Sequence, residues 1–437
     1  MISFVKKLWR DKRGNALVII GAAMPLIIGS AGLASDTIQW ALWKRQLQRA
    51  ADSGAMAGVY AIVESAGART NVATAVDRDL THNNHVAYTY SKVVGAPTSG
   101  TYASDPYAVQ VTLTVQKSLG FSGMFLNYTP SITASGTATI VPSGNYCVIS
   151  LENTSATGIT ATGNADVDMG CGMITNSTSL TAAVATGSSE VNASPIAAVG
   201  GIPASDNWGA NTVLQPFTLA QEDPFASVNP PSTFPSSNCP NLNVVSNQSR
   251  TAAEIAAQAN VSGLAANTYC FGNMTLNGNV TLPANSTIIL DGGSLSIGAQ
   301  ANVSCSGCTF VLTSRDAASN PGTIGNVNMN GGATLNLTAP GTGTYAGILI
   351  YQDRRAVNGN NANQQSTLNG NSSSFFQGAF YFPNQQVTFN GTAGMSTDCM
   401  KLVARTVLYS GNMNIANTCP ANSGVPNFTG KKVRLVA

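Results

Sequence analysis

The chain has 437 residues, enough for two or three domains, yet only 9% of them are charged and the formal net charge is +2. So little charge excludes a polyanion-binding surface as the main theme, and no nucleic-acid partner is expected. The eight cysteines are even in number and all lie after residue 146, which fits a compartment where disulfides form.

The charge is unevenly spread. Eight of the 21 basic residues fall in the first fifty, and Lys431, Lys432 and Arg434 close the chain. Asn15 to Ser35 is an uncharged, mostly apolar run of 21 residues. As a helix it would span about 30 Å of hydrocarbon. Five bases precede it, and after Asp36 the next base is Lys44. The positive-inside rule therefore places 1–14 in the cytoplasm as a basic tail, 15–35 across a membrane as a single pass, and the bulk on the far side.

A cleaved signal peptide is the competing reading, because "GSAGLA" offers small residues before Ser35. Against it, helical spacing continues over 36–65 as an extended stem. Trp40 and Trp43 sit where indoles favour the membrane interface. Leu47, Ala51, Gly54, Ala55, Gly58 and Ile62 form a narrow stripe of small and apolar residues that permits close helix packing, either on the protein's own next module or on a partner helix. Pro25 should bend the helix or loosen one turn.

"RDKRGNALVIIGAAMPLIIGSAGLASDTIQWALWKRQLQRAADSGAMAG", Arg10–Gly58, resembles the amino-terminal segment of the TadG-like proteins of the Tad (Flp) pilus assembly family. The matching features are Arg13 and Gly14 before the apolar run, the mid-membrane Pro25, "GLASD" at Gly32–Asp36 and "KRQLQRAADSGAMAG" at Lys44–Gly58. The resemblance implies a pseudopilin-related component of a bacterial Tad apparatus, anchored in the inner membrane with its bulk in the periplasm or beyond and with other Tad/Flp assembly proteins as partners. Processed members are cut after a glycine and carry Glu at the fifth mature position. Counted from Gly14 that position is Ile19, so an uncut anchor is expected.

Residues 66–145 read as a small α+β module. Val72, Val76 and Leu80 give "TNVATAVDRDL" a helical face, "YAVQVTLTVQK" (Tyr107–Lys117) alternates as a strand should, and "SITASGTATIV" (Ser131–Val141) suggests another. Both histidines, His82 and His85, lie in "THNNHVAY" near Asp79. A solvated turn is favoured over a metal site, since structural zinc needs four ligands.

From residue 146 to 437 short apolar segments recur between Gly and Asn turns, too closely spaced for βαβ units. A large parallel β-helix (solenoid)-like domain is the leading expectation and makes the chain mainly β, with a jelly roll or β-sandwich as the alternative. A proline-rich irregular insertion occupies about 203–262 and could wrap or cap it, with a short helix in "SRTAAEIAAQA". "GCGMITNSTSLTAA" (Gly170–Ala183) and "LPANSTIILDGGSLSI" (Leu282–Ile297) extend the family resemblance more weakly into this region.

The cysteines Cys147, Cys171, Cys239, Cys270, Cys305, Cys308, Cys399 and Cys419 are all candidates for disulfides. "CSGC" has redox spacing but lies between strand-like runs, which favours a structural bridge. Cys147 with Cys171, and Cys399 with Cys419, are geometric suggestions only. No cofactor or metal is implied. For polysaccharide-acting enzymes the candidates are Asp166, Asp168, Asp291, Asp316, Asp353, Arg354 and Arg355, which form no cluster in sequence; "YQDRR" reads as a charged surface turn. A non-catalytic assembly component is the expectation. The alternatives are an adhesin-like module binding cell-surface glycan and a glycan-acting enzyme.

Overall fold

The computed structural model describes residues 14–65, 67–83, 89–357, 365–371, 373–390, 394–397, 399–412, 414–417, 425 and 427–436. The chain divides into two compact units, Met1–Val141 with Lys432–Ala437, and Pro142–Lys431.

In the first unit, helix α1 (Gly14–Glu64) runs through Pro25 without interruption. It is the one helix among the described residues long and apolar enough to cross a membrane. Val18, Ile19, Leu26, Ile27 and Ile28 are all exposed on the protein, an apolar surface that a bilayer would remove from water. The second half of α1 is different in kind. Its stripe is buried against helix α2 (Val72–Asn83) and against strands β2 (Val109–Gln116) and β3 (Ser131–Ser150).

Strand β1 (Ser91–Gly95) pairs antiparallel with β2, and β2 pairs antiparallel with β3 through Ser131–Ala138. Val109, Val111, Leu113 and Val115 point to the buried face of β2, and the residues between them are more exposed.

The second unit is a large, mostly parallel β-sheet domain of solenoid-like build. From Leu242 to Thr338 each strand pairs, parallel and in register, with the strand three places later. Leu242–Val244, Met274–Leu276, Leu295–Ile297 and Val327–Met329 form one ladder. Asn279–Thr281, Asn302–Cys305 and Thr334–Thr338 form a second. Thr268–Phe271, Thr287–Asp291, Thr309–Thr313 and Ile348–Gln352 form a third. The long strand Phe375–Phe389 then pairs with members of all three. A jelly roll or sandwich rests on antiparallel pairs, so the parallel register excludes it for these ladders.

Rung order departs from chain order. Cys399–Tyr409 pairs with Phe375–Phe389 on one side. On its other side it meets Val148–Ser150 of β3 and Ile159–Ala161. The strands Gly172–Thr175 and Ile196–Ala198 then stack onto β3 in turn. The ladders therefore run from 242 to 417 and continue with 146 to 198. Buried Glu152 pairs with Arg405 at 2.9 Å where first rung meets last.

Between the ladders like residues stack on like. Val280, Val303 and Leu335 are in register, as are Leu276, Ile297 and Met329, and all are buried in one apolar core. Residues 252–258 form helix α3 (Ala252–Gln258), started by a reciprocal Thr251–Glu254 capping box.

Gly58 marks a close approach between α1 and its neighbours in the first unit. A Cβ there would lie 2.8 Å from Val109 and 3.3 Å from Val72 and Val76. Gly58→Val is expected to destabilise the first unit by about 1–3 kcal/mol through overpacking. Gly95→Ala, with open space around its Cβ, should change stability by under about 0.5 kcal/mol. Denaturation of the two variants beside the parent protein checks both.

Candidate functional site

The anchor and stem residues occupy one helix. Gly14 is the first residue of α1 and Pro25 lies inside it. Trp40 is 42% exposed, whereas Trp43 is half-buried with the Lys117 ammonium 4.7 Å from its ring centroid. Leu47, Ala51, Ala55 and Ile62 are fully buried. Gly54 and Gly58 let Val76, Val72 and Val109 approach the α1 backbone. The stripe is thus spent on the protein's own α2 and β-sheet. Just past the apolar run, the buried Asp36 carboxylate accepts the backbone N–H of Phe121 at 2.9 Å and of Ser122 at 2.5 Å.

Among the described cysteines the pairs are Cys147–Cys171, Cys239–Cys270 and Cys305–Cys308, with Cα separations of 5.8, 5.4 and 5.9 Å. Cys399 is also disulfide-bonded, and Cys419 lies outside the described residues. Cys147–Cys171 ties neighbouring rungs, and Cys305–Cys308 closes the turn between the strands Asn302–Cys305 and Thr309–Thr313. Asp291 lies beside Cys239 and Cys270, but both sulfurs are already committed to each other. His82 ends α2 and is exposed, and His85 lies outside the described residues.

"YQDRR" corrects its sequence reading as a surface turn. Tyr351, Gln352 and Asp353 are fully buried, and Arg355 alone of the five is exposed. The cause is a segment that sequence alone left irregular. Residues 217–239 lie over the outer side of the third ladder. The N–H groups of Phe217 and Thr218 bond Gly200 and Ala198. Asn176 and Gln221 exchange two bonds of 2.7–2.8 Å.

Further along, Tyr381 donates to the Asp223 carboxylate at 2.7 Å, Tyr351 to the Val228 carbonyl at 2.9 Å and Tyr345 to the Asn229 carbonyl at 3.0 Å. The Arg354 guanidinium donates to the carbonyls of Phe225, Ala226 and Val228. Arg315, held by Asp291 at 2.6 Å, reaches the carbonyls of Pro235 and Ser237. The Cys239–Cys270 bridge ends the crossing. Burial pushes the Tyr351 phenol up to about 12, and Tyr345 and Tyr381 are raised further.

The candidate carboxylates and arginines come together only in part. Arg315, Asp353, Arg354 and Arg355 line one cleft of about 480 Å³ with residues 229–234, and Asp166 and Asp168 do not line it. These two stand exposed on a separate strand, Asp166–Asp168. Burial alone would raise the Asp353 pKa. Hydrogen bonds from the Arg355 side chain and amide and from Thr313 outweigh it and hold the group below its usual range. In the cleft the charged groups serve structure: Arg355 neutralises Asp353 at 2.6 Å, and Arg354 satisfies carbonyls of residues 217–239, which form a strap across the ladder.

No family model, curated protein or solved structure matches this chain.

Sequence reading missed the tyrosine and arginine clamp and the Asp36 contact. A signal for the clamp was present. "TIILD", "TFVLT" and "ILIYQ" are apolar on both faces, which marks a strand covered on both sides. Asp36 gave none, since its partners are backbone groups 85 and 86 residues away.

Arg354→Ala would take one donor from each of three strap carbonyls, although Val228 keeps the Tyr351 hydroxyl and Phe225 keeps the Val228 amide. The substitution is expected to weaken closure of the strap by about 2 kcal/mol, or roughly thirtyfold in the open population. Limited proteolysis should then cut within 217–239 faster, and Arg354→Lys, which lacks the planar fork, should rescue little.

Lys401 is 4% exposed, bonds the Asn427 side chain at 2.9 Å and lies near the Phe428 ring; burial lowers its pKa to about 8. Between pH 8 and the ordinary lysine value of 10.5, the unfolded chain binds the proton that the folded chain has shed. Stability therefore rises with pH across that window. Lys401→Met should flatten the rise, as measured by denaturant unfolding at stepped pH.

Proposed function

We propose that the protein is a membrane-anchored, non-catalytic component of a bacterial Tad/Flp pilus assembly or tight-adherence machinery. In this reading α1 stays in the inner membrane with its amino terminus cytoplasmic, and the β-rich unit makes protein contacts outside. The observation that carries it is the continuity of α1: an exposed apolar first half and a second half buried in a folded core belong to one helix. Cleavage at Ala34 would cut through this continuous helix two residues before the Asp36 contact, so we read the segment as retained. The resemblance of Arg10–Gly58 to TadG-like proteins supplies the assembly context. Disulfides within the second unit favour an oxidising compartment.

The three parallel ladders we read further as a parallel β-helix, because strand-to-third-strand pairing is how three-faced coils stack. Such a surface offers repeated Asn, Ser and Thr for contact without a catalytic centre.

Deleting the gene is expected to remove surface pili in electron micrographs, and affinity purification of the intact protein should recover other assembly proteins. Intact pili with lost attachment would replace this reading with a glycan-binding adhesin. Turnover of cell-surface glycan by the purified protein would replace both with an enzyme.

A further inference from the structure

The loop between β2 and β3 carries no charge from Ser118 to Ser131 and reads "SLGFSGMFLNYTPS". A loop on a soluble surface hides its large apolar residues or lacks them. Here Met124, Phe125 and Tyr128 are 70%, 69% and 69% exposed, and Leu126 is exposed beside them. A short 3-10 turn, Ser122–Met124, presents them.

Its position on the molecule is fixed by two contacts with α1. The Phe121 ring lies so close to Gly32 that a Cβ there would overlap it. The amides of Phe121 and Ser122 are held by Asp36. Gly32 belongs to the apolar run, and Asp36 is the first charge after it. The exposed side chains therefore stand at the level where the helix leaves hydrocarbon. Groups typical of an interface surround that level. Trp40 is exposed, Trp43 and Lys117 are in contact, and Lys44 donates to the Thr133 carbonyl.

We propose that this loop is a second membrane-contacting element, with Phe125, Met124 and Leu126 entering the boundary between headgroups and acyl chains and Tyr128 at its polar edge. The occupant is lipid, because the patch is continuous with the exposed apolar surface of α1, including Leu33. The two contacts would fix the rotation and depth of the first unit on the bilayer, which a single helix cannot do. This inference rests on reading α1 as the anchor, and the test separates the two.

The test reconstitutes the oxidised full-length protein in mixed phosphatidylethanolamine and phosphatidylglycerol vesicles, with spin labels on Phe125→Cys, Ile27→Cys and Glu64→Cys. Collision with oxygen relative to a water-soluble nickel complex reports depth. Ile27→Cys is expected to be deep. Glu64→Cys, about 40 Å beyond Asp36 along the helix, is expected to be in water. Phe125→Cys should show a ratio several-fold above Glu64→Cys. If Phe125→Cys matches Glu64→Cys while Ile27→Cys is deep, the loop proposal falls and the anchor stands. If both collision rates drop at Phe125→Cys, protein covers the loop and the lipid assignment is overturned. If Ile27→Cys is itself in water, the anchor reading falls as well.

Discussion

The third ladder carries apolar columns on both of its faces, and covering the outer one is the constraint that shapes the second unit. Inward lie Phe310, Ile350, Phe380, Leu402, Val148, Met173 and Ile196, in register and in the main core. Outward, one residue along each strand, lie Val311, Tyr351, Tyr381, Val403, Ile149, Ile174 and Ala197. Left bare, the outer column would be an apolar stripe several rungs long. The segment 217–239 covers it, with Phe225 edge-on to Tyr381 and Phe428. Such a cover must satisfy its own backbone, since it belongs to no ladder. Tyrosine suits the outer column because its ring packs while its hydroxyl answers a strap carbonyl or carboxylate. Arg354 serves three carbonyls at once.

The same segment resolves a topological difficulty. A chain whose rungs run 242 to 417 and then 146 to 198 must travel from the last rung back to the first without disturbing the stack. From Ile196–Ala198 to Thr268–Phe271 the third ladder spans roughly 40 Å at about 4.8 Å per rung. A crossing of some twenty residues in extended form is ample. Closure is then local to the seam, where Ser150 bonds the Arg405 carbonyl at 2.8 Å across 255 residues of sequence, beside the Glu152–Arg405 pair. Contacts of such separation form late and at high entropic cost in a folding chain. A seam carrying a buried ion pair as well as ladder bonds has the specificity to select the right rung from several alike.

Legibility in the sequence followed the range of the interaction. The α1 stripe, the alternation in β2 and the short helix in "SRTAAEIAAQA" were readable because each depends on neighbours within a turn or a strand. Short strands between Gly and Asn turns were readable for the same reason. Rung order was not, because Val148 could stack on any rung of matching shape and nothing local names Leu402 as its partner. "YQDRR" misled because charge was taken for exposure. Asp353 is buried with its neutralising arginine two residues away and Thr313 on the adjacent rung. The Pro-rich segment hid its role for a related reason: its bonds go to side chains of distant strands, and no periodicity records that.

Helix α1 changes character between Asp36 and Leu47, and the physics of that change explains its composition. Before Asp36 the helix is apolar all round, the condition for a span whose partners are lipid tails. After it, Leu47, Ala51, Ala55 and Ile62 confine the apolar side to one face, and Gln46 and Arg49 are exposed. A carboxylate at the boundary is costly to carry into hydrocarbon and so limits how deep the helix can sink. By accepting two amides from the β2–β3 connection, it also joins the depth of the helix to the position of the folded unit. Replacing Asp36 with an apolar residue would lengthen the span and release that connection together. In a bilayer, the depth of α1 and its tertiary contacts would thus be set by the same side chain.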